Sequence, residues 1–81
     1  MSQDRLAHHI GAQIKRLRER RGWTQTALAD KVDLHRVSLA QLERGAKRPS
    51  LDMLERLAKA LDIEVRDFLP ASKRRQSKQR R

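Results

Sequence analysis

The feature that most constrains this chain is the spacing of apolar residues between Trp23 and Gly45. Trp23 stands one residue before Thr24, a good helix N-cap, and Leu28 follows four residues into the helix that Thr24 opens. That is the spacing of a hydrophobic staple, which fixes the angle at which the chain enters a helix. Leu34 and Leu39 repeat the spacing around His35, so the next helix starts at about Arg36 and ends at Gly45 as a left-handed C-cap. His35 is a poor cap, a task Asp33 can share. Only about three residues, "DLH", join the two helices. Two short stapled helices so closely joined form a helix-turn-helix.

The rest of the chain reads as further helices, with no strand pattern. Leu6, Ile10, Ile14 and Leu17 put one apolar face on a first helix from about Arg5 to Arg21, ended by Gly22. Ser50 caps a fourth helix, in which Asp52 suits the helix dipole and Leu54, Leu57, Ala58 and Leu61 form the inner stripe. A short fifth helix from about Glu64 to Leu69 presents Val65, Phe68 and Leu69 before Pro70 stops it. The expectation is an all-α fold of five helices, with residues 1–70 as one domain and 71–81 as a basic, disordered tail. At 81 residues there is one modest core and no space for a catalytic cleft with two walls.

The third helix has an unusual outer face. On a wheel Leu39 and Leu42 point inward, and Arg36, Val37, Ala40, Gln41 and Arg44 fan over the opposite side. A helix face in water is normally filled with Lys, Glu and Gln. A helix in the DNA major groove needs arginine for guanine, glutamine for adenine and small apolar groups for the thymine methyl. Chance exposure of two small apolar residues is the ordinary alternative. Charge bears on the choice. The chain carries +10, with 20 Lys and Arg against 10 Asp and Glu, which favours polyanionic partners. Six of the basic residues (Lys73, Arg74, Arg75, Lys78, Arg80, Arg81) lie beyond Ala71 with no acid among them. That tail is either a solvated terminus or an arm on a nucleic-acid backbone.

Other chemistries find little here. There is no Cys, and His8 and His9 are adjacent, so on a helix they diverge by about 100° and cannot share a metal. Gly11, Gly22 and Gly45 are isolated and make no phosphate loop, and Ser38 lacks partners for nucleophilic work. The expectation is a non-enzyme with no cofactor, no metal and no small-molecule ligand. No apolar run reaches the length of a signal peptide or membrane span, which predicts a cytoplasmic protein without a membrane partner.

The segment "TQTALADKVDLHRVSLAQLERGAKRPSLDMLERLAKALDIEVRDFL" (Thr24 to Leu69) resembles the Cro/C1-type helix-turn-helix family, also called the xenobiotic-response-element family, of bacterial and phage regulators. The pieces that carry the resemblance are "TQTALA", "LAQLERG", "RPS" and "LERLAKALDI" in this order, and "IGAQIKRLRERRGW" extends it to Ile10. It implies a five-helix lambda-repressor-like DNA-binding domain. Arg36, Val37, Ala40 and Gln41 match base-contacting positions. Gln25 matches a position that touches a phosphate and braces the third helix, and Arg44 and Lys47 match positions at the DNA backbone. Thr24 is a further backbone candidate beside Gln25, and His35 either reaches a phosphate or is a partly exposed cap. Glu43 matches an acid that pairs with an arginine of the first helix, here Arg18. Both residues flank apolar stripes, which fits a half-buried bidentate pair, the alternative being two solvated charges. Asp33 and Asp62 stand where family members often carry Gly, Ala40 replaces a small polar residue, and His35 replaces a Ser or Thr cap.

The resemblance further implies a transcriptional regulator, more often a repressor, at the nucleoid. It would be a homodimer on a pseudo-palindromic operator, its recognition helices roughly 34 Å apart. Val65, Phe68 and Leu69 are candidates for the dimer surface, although Phe68 also suits the monomer core. Alternative readings are a restriction-modification controller protein, a DNA-binding antitoxin of a toxin–antitoxin pair, or a nonspecific coating protein.

Overall fold

The computed structural model of the chain describes residues 4–71. Four α-helices, α1 (Arg5–Arg20), α2 (Gln25–Lys31), α3 (Arg36–Arg44) and α4 (Leu51–Leu61), are followed by a 3-10 turn, Val65–Phe68. Side-chain caps begin three of the helices: Asp4 accepts from the Ala7 N–H, Thr24 from Ala27 and Ser50 from Met53, at 3.0–3.1 Å. His35 caps α3 in position only and makes no side-chain hydrogen bond.

All four helices stop in the same way. Gly22, Asp33, Gly45 and Asp62 adopt left-handed backbone, with φ between 58° and 77°. The residue after each of them donates its N–H back to a carbonyl five residues earlier: Trp23 to Arg18, Leu34 to Ala29, Ala46 to Gln41 and Ile63 to Ala58. This closes the carbonyls a helix end leaves unpaired. Aspartate tolerates the left-handed region better than most residues, which is why two of these turns form without glycine.

The core is aliphatic around one aromatic ring. Ile10, Ile14, Leu28, Leu39, Leu57, Leu61 and Phe68 are essentially inaccessible to solvent. Trp23 and Leu34, the outer members of the two staples, are half-buried against this cluster. α1 packs chiefly on α3, and Gly11 makes the close approach possible. A Cβ at Gly11 would lie 2.7 Å from the Glu43 carbonyl oxygen and would also collide with that of Leu42.

The ends of α2 and α4 are tied to their neighbours by arginines. Arg21 donates to the Leu61 carbonyl at 2.7 Å, and Arg56 donates to the Val32 carbonyl at 3.3 Å. Lys31 lies over the Trp23 ring, its Nζ 4.7 Å from the centroid. These cations meet the negative ends of helix dipoles and so have a structural role.

The expected fifth α-helix is corrected to a single 3-10 turn. Asp62 is left-handed, Glu64 is extended, and Leu69 is extended as a residue before proline must be. Only four residues remain between those limits, too few to propagate i to i+4 bonds. The turn is closed by the Glu64 N–H donating to the Asp67 carboxylate at 3.0 Å.

Candidate nucleic-acid interface

The position of α3 is set by a polar contact at its inner edge. The Arg18 guanidinium, from α1, forks onto the Glu43 carboxylate, with Nε to Oε2 at 2.7 Å and Nη2 to Oε1 at 3.0 Å. Its Nη1 donates to the Trp23 carbonyl at 2.8 Å. The two side chains are only 9% and 3% exposed. The hydrogen bonds to Glu43 push the Arg18 pKa further above its already high value, so the pair keeps its cation at any usable pH. Gln25, at the first position of α2, donates its side-chain amide to Glu43 Oε1 at 3.1 Å. One carboxylate thus joins α1, α2 and α3. No buried side-chain N or O atom is left unpaired among the described residues.

With its inner side held in this way, α3 exposes Arg36, Val37 and Arg44 to solvent, while Ala40 and Gln41 are half-exposed beside them. Val37 is 57% exposed, and Leu51 is the one other large apolar side chain so exposed among the described residues. Thr24, His35 and Lys47 are exposed as well, and Gln25 is half-buried. Thr24 accepts from Ala27 through its hydroxyl oxygen, which leaves the hydroxyl proton free to donate. One amide N–H of Gln25 remains after the bond to Glu43. The residues expected at a nucleic-acid surface therefore share the outer side of α3 or border it at the start of α2 and in the loop after α3.

Of the two places open to Phe68, the structure shows the monomer core: it is 0% exposed and packs between α1 and α4. Val65 and Leu69 remain half-buried beside it. The basic tail lies, apart from Ala71, outside the described residues.

Sequence reasoning missed two supports of this surface. Gly11 is one. Its signal was a glycine inside a helical pattern, which marks either a weak point or a close backbone approach. The other is Arg48, in the loop after α3, which forks onto Asp4 with Nε to Oδ2 at 3.1 Å and Nη2 to Oδ1 at 2.8 Å. That bond, helped by the Ala7 N–H, holds the Asp4 carboxyl below the usual aspartate value. Nothing in the local sequence links positions 44 residues apart.

Comparison with known proteins agrees with this geometry. The helix-turn-helix family HTH_3 matches residues 14–68. The immunity repressor protein of Bacillus phage phi105 is 46% identical over 56 residues, which cover 69% of this chain and 39% of that repressor. The restriction-modification controller protein C.AhdI from Aeromonas hydrophila superposes with a TM-score of 0.74 at 35% identity, over 78% of this chain and 96% of C.AhdI. The N-terminal DNA-binding domain of SinR from Bacillus subtilis gives 0.71 at 32% identity, over 75% and 90% of the two chains. With α2 and α3 in place as a helix-turn-helix and the match running from Ile14 to Phe68, the chain belongs to the Cro/C1-type helix-turn-helix family.

Proposed function

We propose that this chain is a sequence-specific double-stranded DNA-binding regulator of transcription, with repression as its usual outcome. The observation that carries the reading is the division of α3. Its inner edge is locked by the Arg18–Glu43 pair, and its outer side leaves Arg36, Val37, Ala40 and Gln41 open to solvent. A helix fixed in this way can enter the major groove without reordering. Arg36 then forks onto a guanine edge, Gln41 pairs with an adenine, and Val37 with Ala40 meets pyrimidine methyl groups. Thr24, Gln25, His35, Arg44 and Lys47 bond phosphates on either side and fix the register.

The active form in this reading is a homodimer in which Val65 and Leu69 contribute to the contact between copies. Two α3 helices then read a pseudo-palindrome, about one turn of DNA apart. In this reading the chain acts in the cytoplasm at the nucleoid; no described helix is long and apolar enough to cross a membrane. A narrower reading, a controller of a restriction-modification system, is supported by the match over nearly all of C.AhdI.

The test is a titration at physiological salt of a duplex selected from a random pool, against a scrambled duplex of equal length. A preference of at least about a thousandfold is expected. Equal affinity for the two would overturn the proposal.

A further inference from the structure

Val37 is a poor choice for an exposed helix position. A β-branched side chain keeps essentially one rotamer there and lowers helix propensity, and an outward face gives it nothing to pack on. Yet it is 57% exposed, and α3 cannot roll to bury it. Leu39 and Leu42 are already seated in the core, and Glu43 is tied to Arg18 and Gln25. Ala40 lies three residues further on, hence beside Val37 on the same side of the helix, and is half-exposed. The two form a small apolar patch at a fixed angle, between the hydrogen-bonding side chains of Arg36 and Gln41.

Neither residue has a side-chain atom that can read donors or acceptors. The patch registers one property only, whether an apolar group stands opposite. In the major groove that group is the methyl on C5 of a pyrimidine. Thymine always carries it, and cytosine carries it at the same place on the groove edge once C5 is methylated. The two bases differ at C4, in an oxygen or an amino group that an aliphatic side chain does not bond. We infer that Val37, with Ala40, senses the C5-methyl itself, so that methylation of a cytosine beneath α3 tightens DNA binding by this chain. The inference rests on the groove reading above and adds a form of regulation to it. The occupancy of a site would change with its methylation state while its base sequence stays the same.

The experiment uses the full chain and the selected duplex, with affinities measured by fluorescence anisotropy. Each thymine is replaced singly by uracil. In parallel, each pyrimidine position is filled with cytosine or 5-methylcytosine opposite guanine. Every comparison then changes one methyl and leaves the hydrogen-bonding edges alone. At one or two adjacent positions of each half-site, uracil should weaken binding about fourfold relative to thymine. There 5-methylcytosine should bind about fourfold more tightly than cytosine, as burial of one methyl group predicts. Val37→Ala should melt like the parent chain and lose most of both differences. Two results would overturn the inference: no methyl effect at any position while the scrambled duplex is still rejected, or an effect that persists undiminished in Val37→Ala. Either would leave the groove reading standing. Equal binding to selected and scrambled duplexes would remove both.

Discussion

A guanidinium as buried as that of Arg18 stabilises a fold only while its partner stays in place. Glu43 satisfies two of its N–H groups and the Trp23 carbonyl a third, so removing the carboxylate strands a charge beneath α3. Breaking a buried pair of this kind costs about 3 kcal/mol. Glu43→Gln should therefore lower the melting temperature by roughly 10 °C or more, read by circular dichroism. Unchanged melting would show that the pair is not structural. The exposed pair of Asp4 with Arg48 acts differently. Its depressed carboxyl pKa makes its contribution present above the ordinary aspartate value of about 3.9 and lost as pH falls through the lower, folded value. A carboxyl titration by NMR should place Asp4 below that ordinary value in the parent chain. In Arg48→Ala it should move back up toward that value, with the backbone N–H groups of Ala7 and Leu6 still lowering it. An Asp4 that titrates identically in both would remove the strap between α1 and the loop after α3.

At the scale of elements, the arrangement depends on how near α1 comes to α3. Gly11→Ala places a methyl against the carbonyls of Leu42 and Glu43, in a contact backbone cannot relieve by a rotamer change. It should cost about 1–3 kcal/mol of stability by denaturant titration, although alanine is the better helix former. A neutral or stabilising result would mean that the two helices stand further apart. This contact was not legible in the sequence, because it depends on where a second helix lies in space. The helices themselves were legible. Leu28, Leu54, Leu57 and Leu61 fall at helical spacing behind recognisable caps, Leu39 is marked by its staple spacing from Leu34, and the aspartates at 33 and 62 can take the left-handed turns. The fifth helix was misread because Val65 and Phe68 are three apart, a spacing an α-helix and a 3-10 turn share. The same spacing says that Phe68 has an apolar neighbour, but not whether that neighbour belongs to this chain or to another. The outer face of α3 was legible for a simpler reason. Leu39 and Leu42 fix which side faces in, and everything at Arg36, Val37, Ala40 and Gln41 follows from the helical period.

For the whole molecule, charge and groove recognition separate into two measurable terms. Residues 71–81 hold six basic side chains and no acid. If they contact DNA, deleting them should weaken binding to all sequences alike and reduce the slope of log affinity against log salt by up to about 5. A deletion that changed base preference and left the slope alone would contradict that role. The central claim, that α3 lies in the major groove with Arg36 on a guanine, is tested most directly by dimethyl sulfate footprinting of the selected duplex. The reagent methylates guanine N7 in the major groove and adenine N3 in the minor groove. Bound protein should protect guanine N7 in each half-site, and Arg36→Ala should restore reactivity at one guanine per half-site. It should also cost about 1–3 kcal/mol in affinity. Protection confined to adenine N3, or a guanine pattern that Arg36→Ala leaves unchanged, would contradict the account.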